Sequence, residues 1–184
     1  MTIAVDKPGY SPLQLVRCRP RLLVNAPRDM AQVEPALVNL MRRLVEGKAP
    51  WPLYLHGQTG TGKTAAALAL CDITVSAAYF VMDTLCSLIL AAGPADVRNT
   101  WGDIEAKELV VLDELGTRQE VGDLHYATLK RVADAREVHA GRRAIYVSNL
   151  SPEEFCKVYD DRIKSRVLCG SKFELDGRDR RLDR

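Results

Sequence analysis

The chain has 184 residues, of which 47% are apolar and 27% charged, and its formal net charge is +2. That length suits one domain with a substantial core, and the composition is that of a water-soluble globular protein rather than a fibrous or low-complexity one. A charge of +2 excludes any argument for nucleic-acid binding from net charge alone, so local clusters must be judged one by one.

The five cysteines (Cys18, Cys71, Cys86, Cys156 and Cys169) are odd in number, widely spaced and without a C-x-x-C pair. With only three histidines, they form no metal-ligand pattern. The expectation is reduced, mostly packed thiols in a cytoplasmic protein. No apolar run nears membrane-spanning length, and the first residues, which include Asp6, lack the apolar core of a secretion signal.

Residues 1–30 hold four prolines and the basic cluster Arg17, Arg19, Arg21 and Arg28. Prolines interrupt regular structure, so this stretch reads as an irregular arm. Contact with nucleic acid, a partner protein or the adenine ring is open there, as is a solvated tail. From Glu34 the pattern changes. Leu37, Val38, Leu40, Met41, Leu44 and Val45 recur at helical spacing, with Pro35 in the first turn and Gly47 at the C-terminal cap.

Leu53, Tyr54 and Leu55 then read as a short buried strand, and residues 65–70 as a strong helix former. Between them lies Gly57-Gln58-Thr59-Gly60-Thr61-Gly62-Lys63-Thr64, which fits the phosphate-loop pattern. The chemistry demands those residue types. A backbone wrapped around a polyphosphate turns its N–H groups inward, which needs glycine where dihedrals are left-handed or a Cβ would strike an oxygen. Lys63 can reach the outer phosphates, and the Thr64 hydroxyl can hold Mg²⁺ between them. The helix beginning near Lys63 aims its N-terminal dipole at the anion. A Gly/Thr-rich surface turn is the alternative, and the order strand, loop, helix argues against it.

Residues 77–82 read as a second strand, with Asp83 as N-cap of a helix bearing Leu85, Leu88, Ile89 and Leu90. Gly93-Pro94 breaks that helix, and residues 95–106, with Trp101, form another. Leu109-Val110-Val111-Leu112 suits a strand buried on both faces of a parallel sheet. Asp113-Glu114 at its end is costly unless the carboxylates serve a site, the alternative being an acidic pair that caps the next helix. After a polar connection over residues 116–122 comes a long amphipathic helix with Leu124, Ala127, Leu129, Val132 and Ala133, ending near Gly141. Residues 144–147 give another buried strand, followed by Ser148-Asn149. Ser151-Pro152-Glu153-Glu154 is a strong helix start. A further short helix carries Arg162 and Arg166, four apart on one face, and residues 171–175 close the core before a charged tail.

Strands alternating with helices imply a three-layer α/β/α core around a mostly parallel sheet of five strands. Ligands of such sheets bind at the C-terminal strand edges. The loop 57–64, Asp113-Glu114 and Asn149 each fall at such an edge. Asp113 is the expected partner of the Mg²⁺ shell, Glu114 can polarise a water for attack, and Asn149 can bond that water or a γ-phosphate oxygen. Asn149 as an ordinary turn residue stays open. Arg162 and Arg166 could neutralise transition-state charge from a neighbouring subunit or form a solvated salt-bridge face.

The order GQTGTGKT, LVVLDELG, AIYVSNLS, DRIKSRVLCG resembles the AAA+ ATPases and, within them, the DnaC/IstB branch of helicase loaders and transposition helpers. The resemblance spans about residues 53–170, and GRDRRL near the end is similar to phage-type members. It implies a P-loop NTPase of the AAA+ (ASCE) kind over residues 31–176, with a basic arm over 1–30, a charged tail over 177–184 and little or no C-terminal lid.

By resemblance, Lys63 and Thr64 are the Walker A ligands, Asp113 and Glu114 form Walker B, and Asn149 is sensor 1. Arg166 is the arginine finger, with Arg162 its neighbour. ATP and Mg²⁺ are the implied cofactors. The string Asp134-Ala135-Arg136 also resembles one common in that branch, its role open. Arg178, Arg180 or Arg181 could stand in for a sensor 2 arginine.

The function implied is a DnaC-like replicative-helicase loader, phage- or prophage-like, that hydrolyses ATP. It would bind single-stranded DNA, with Arg98 and Lys107 as candidate contacts, and self-associate head to tail. Its partner would be a replicative helicase, with no membrane involved. The alternatives are an IstB-like transposition helper on duplex DNA, or a nucleotide-dependent adaptor with little turnover. A small-molecule kinase is disfavoured because no second substrate pocket is evident.

Overall fold

Five short apolar runs become five strands: β1 (Leu53–His56), β2 (Ala77–Val81), β3 (Leu109–Leu115), β4 (Arg143–Ser148) and β5 (Ser171–Glu174). The computed structural model describes residues 33–116, 121–139 and 141–177. The expected basic arm, nearly all of the charged tail and most of the connection after Gly116 lie outside them. The strands form one sheet in the order β2-β3-β4-β1-β5, with every neighbouring pair parallel. All C-terminal ends therefore share one edge, and β4 runs between the strand that precedes the glycine loop and the strand that bears Asp113.

Among the described residues seven helices cover the two faces: α1 (Pro35–Val45), α2 (Lys63–Ile73), α3 (Met82–Ala91), α4 (Pro94–Ala106), α5 (Asp123–Val138), α6 (Pro152–Val158) and α7 (Asp161–Val167). Strand alternation assigns the layers. Leu53, Leu55, Leu109 and Val111 join Leu37, Met41 and Leu44 of α1 and Ala67 and Leu70 of α2 in one core. Tyr54, Val110 and Leu112 face the other way, onto Leu85, Trp101, Ile104, Leu129, Val132, Phe155 and Ile163 from α3 to α7. Strands covered on both faces are apolar through their buried centres, as Leu109 to Leu112 of β3 and Ala144 to Val147 of β4 are. At the edge, β5 alternates between intermediate and exposed residues.

The helix ends follow local chemistry. Ser151 accepts from the Glu154 N–H at 3.2 Å while the Glu154 carboxylate accepts from the Ser151 N–H at 2.8 Å, a complete capping box. After α1, Gly47 takes φ +71, a conformation a Cβ would strain. The expectation for Asp83 needs correction. Val81, not Asp83, caps α3, and Asp83 lies in its first turn with its carboxylate 2.8 Å from His125 Nε2. An acidic residue one turn into a helix still favours the N-terminal dipole, so cap and first-turn positions look alike in sequence.

Candidate nucleotide site

Beyond His56 the chain turns through Gly57 (φ +136), Gly60 (φ +83) and Gly62 (φ +101). These dihedrals are open to glycine and strained for other residues. Gly57 is constrained twice, because a Cβ there would run into the Leu175 carbonyl oxygen. The Leu175 N–H in turn donates to the His56 carbonyl at 2.7 Å, so the end of β5 clamps the start of the loop.

Gly62 is the left-handed N-cap of α2, whose first turn has neither a side-chain cap nor an acidic residue. The Lys63 ammonium, only 7% exposed, donates to the Gly57 and Gln58 carbonyls at 2.7 and 2.6 Å. Thr61 Oγ1 donates to the Gln58 carbonyl at 2.9 Å. The loop thus closes around its own lysine.

Thr64 Oγ1 donates to Asp113 Oδ2 at 2.7 Å, joining the loop to the end of β3 across 49 residues of chain. The same oxygen accepts from the Tyr79 hydroxyl at 2.6 Å. Asp113 Oδ1 accepts from the Glu114 N–H at 2.7 Å. Asp113 is 3% exposed, so these donors stand where water would otherwise be. Burial, reinforced by the charge of Asp113, pushes the Tyr79 phenol far above its ordinary range and keeps it a donor.

Glu114 is exposed and holds φ +62, a left-handed conformation that costs a non-glycine residue about 1–3 kcal/mol. The β3–β4 register shifts between Leu112 and Leu115, an irregularity that falls on Asp113 and Glu114. This strained, exposed residue directly follows a buried carboxylate.

Asn149 is exposed immediately after β4. Its surroundings are built by residues the sequence did not single out for a role. Ser148 Oγ donates to the Leu115 carbonyl at 2.7 Å and accepts from the Leu150 N–H at 3.0 Å, tying the ends of β3 and β4 together. The Tyr54 hydroxyl donates to the Leu150 carbonyl at 2.9 Å. His56, next to the loop, is 7% exposed, and burial lowers its pKa, favouring the neutral ring. Only the register of folded strands reveals Tyr79, Ser148 and Tyr54, since each looks like an ordinary strand residue in sequence.

The arginine pair sits elsewhere. Arg166 Nε lies 2.5 Å from Asp134 Oδ1 and 2.9 Å from Glu137 Oε2, both on α5, and its Nη1 donates to the Arg162 carbonyl at 3.0 Å. Lys130, then Arg166, hold the Asp134 carboxyl below its usual range against the opposing effect of burial. Arg162 is exposed, and among the described residues no ion pair holds it. Arg136 is 8% exposed and donates to the carbonyls of Lys107, at 2.5 Å, and Ile104, closing the C-terminal end of α4. Burial pulls its pKa to about 10. The Asp134-Ala135-Arg136 string therefore ties both α7 and α4 to α5. Of the two candidate DNA contacts, Arg98 is exposed on α4 and Lys107 is half-buried just after it.

Among the described residues no helix is long and apolar enough to cross a membrane. Residues 53–139 match the model of the ATPase family associated with various cellular activities (AAA). No curated protein matches in sequence. Among solved structures, AMPPCP-bound DnaA from Aquifex aeolicus superposes with a TM-score of 0.67 at 16% identity, over 77% of this chain and 46% of that one. DnaI gives 0.67 at 19% identity over 88% and 94%, and the DnaC helicase loader 0.66 at 16% over 85% and 100%. The chain spans about half the length of that DnaA chain and nearly all of the DnaI and DnaC chains. Identities this low speak to the fold. It is the AAA+ P-loop fold, a three-layer α/β/α core on a parallel five-stranded sheet.

Proposed function

We propose that the protein is an ATP-binding and ATP-hydrolysing AAA+ protein of the DnaC/IstB branch, acting in DNA replication as a phage-type helicase loader. The observation that carries the ATPase reading is the 2.7 Å bond from Thr64 to Asp113, which brings two halves of one motif set together from distant points of the chain. The donor set fits a magnesium nucleotide. Three positive-φ glycines shape the loop, an ammonium sits at its centre, and a hydroxyl–carboxylate pair stands at its exit. Bound Mg²⁺ would neutralise phosphate charge and orient the β- and γ-phosphates.

The chain's own residues then have distinct tasks. Gly57 to Gly62 would present backbone N–H groups, and Lys63 would exchange its two loop carbonyls for phosphate oxygens. Thr64 and Asp113 would hold the cation. Glu114, exposed beside them, would accept a proton from an attacking water that Asn149 helps to place. Arg166 would act from a neighbouring subunit in a head-to-tail assembly, with Arg162 beside it.

The loader role rests on likeness to DnaI and DnaC along nearly the whole of those chains. Single-stranded DNA binding through Arg98 and Lys107, and recruitment of a replicative helicase, belong to that same reading. One observation favours a second reading, a nucleotide-dependent adaptor with little turnover: Arg166 is engaged by Asp134 and Glu137 of its own chain. ATP turnover measured with and without single-stranded DNA, alongside the mass of the assembly, tests the choice. Turnover stimulated by DNA in an oligomer supports the loader. Tight ATP binding without turnover in either condition supports the adaptor.

A further inference from the structure

Tyr79 has no place in the motif reading, yet it touches the residue on which that reading turns. It lies in β2, two positions before Val81, which pairs with Asp113 across to β3. Its ring packs in the core shared with α1 and α2 at 1% exposure, so its hydroxyl cannot turn to bulk water. A buried phenol needs a partner, and the Asp113 carboxylate supplies one at 2.6 Å.

The acceptor count gives this contact its meaning. An ionised carboxylate offers about four lone-pair sites. On Asp113, Thr64 and Tyr79 occupy Oδ2, and the Glu114 N–H occupies one site on Oδ1. The hydroxyl of Thr64 must send its proton to Asp113 if its own lone pair is to face a cation. Where Oδ2 sits therefore decides where that lone pair points. The terminal torsion of an aspartate is broad, so the carboxylate needs a second anchor to hold one orientation. Tyr79 reaches Oδ2 from β2 while Thr64 reaches it from α2, and two donors from two elements fix it.

We propose that Tyr79 is a positioning residue for the divalent cation, holding Asp113 so that Thr64 and the remaining acceptor site of the carboxylate meet the ion in one geometry. The inference rests on the reading of the site as one for a magnesium nucleotide. A purely structural role would be different. It would satisfy a buried hydroxyl and contribute to folding, with no preference between metal-dependent and metal-independent binding.

The experiment separates these. Full-length wild type and Tyr79→Phe are titrated with a fluorescent ATP analogue (mant-ATP), first in EDTA and then at fixed nucleotide across a Mg²⁺ series. The expected result is an affinity in EDTA within about twofold of wild type, with the half-saturating Mg²⁺ concentration raised about threefold to tenfold, the range one hydrogen bond commands. An unchanged Mg²⁺ midpoint overturns the proposal. So does an EDTA affinity that falls by the same factor as the affinity in Mg²⁺, because the loss is then structural. Wild-type protein that binds no nucleotide in either condition overturns the site reading itself, and the role of Tyr79 with it.

Discussion

Asp113 is 3% exposed and holds three donors from three elements, whereas Arg166, on α7, is half-buried against two carboxylates of α5. The loop side of the proposed site is built by buried, directional hydrogen bonds. Each leaves an unsatisfied polar group if broken, so the geometry has few alternatives. The arginine side is held by ion pairs between partly exposed side chains, a weaker class of contact. The contrast fits a site with one permanent half and one half that changes partners. In the proposed assembly Arg166 would leave Asp134 and Glu137 for a phosphate, while Asp113 would keep its donors.

The comparison can be broken or sharpened by substitution. The largest effect is expected at Lys63→Ala, which removes the cation at the centre of the loop. ATP affinity should fall at least about 100-fold by equilibrium titration, the scale of lost charge-assisted hydrogen bonds. Retained affinity would sink the phosphate-loop assignment. Glu114→Gln should lower turnover about 100-fold or more with ATP binding intact, since it removes a base and keeps the shape. If turnover is unchanged in a steady-state phosphate-release assay, hydrolysis by an activated water is wrong.

Gly57→Ala and Gly141→Ala make a matched pair, both at positive φ (+136 and +84). A Cβ at Gly57 meets the Leu175 backbone, whereas at Gly141 nothing lies within 4 Å. Urea unfolding should show Gly141→Ala costing about 1 kcal/mol and Gly57→Ala clearly more. Equal costs would mean that the loop start is not clamped by β5. The smallest effect belongs to Asp134→Asn, which should change stability by roughly 0–1 kcal/mol, with the difference shrinking at high salt. A loss of several kcal/mol would show that the arginine half is as rigid as the loop half.

The loop and Asp113-Glu114 were legible in sequence because their chemistry demands fixed residue types at fixed spacing. The five strands were legible from apolar runs bounded by turns, and Ser151 to Glu154 from its capping pattern. Other features had no such signature. Sheet order was not readable, since five apolar runs can pair in many ways and only the folded register places β4 between β1 and β3. Tyr79 is 34 residues from Asp113 in sequence and looks like any aromatic strand residue. The partners of Arg166 come from another helix, so spacing within α7 could not reveal them. Asp83 was misplaced by two positions because capping and first-turn preferences favour the same residue types.

The central claim is that the loop, Asp113 and Glu114 form one half of an ATPase site that Arg166 of a neighbouring copy completes. Mixing Arg166→Ala protein with Glu114→Gln protein tests it most directly, each being expected to hydrolyse ATP poorly alone. In mixed assemblies, some interfaces pair an intact Glu114 with an intact Arg166. The account predicts turnover that rises with mixing and peaks near equal proportions. Mixtures that stay as inactive as their components at every ratio would contradict it.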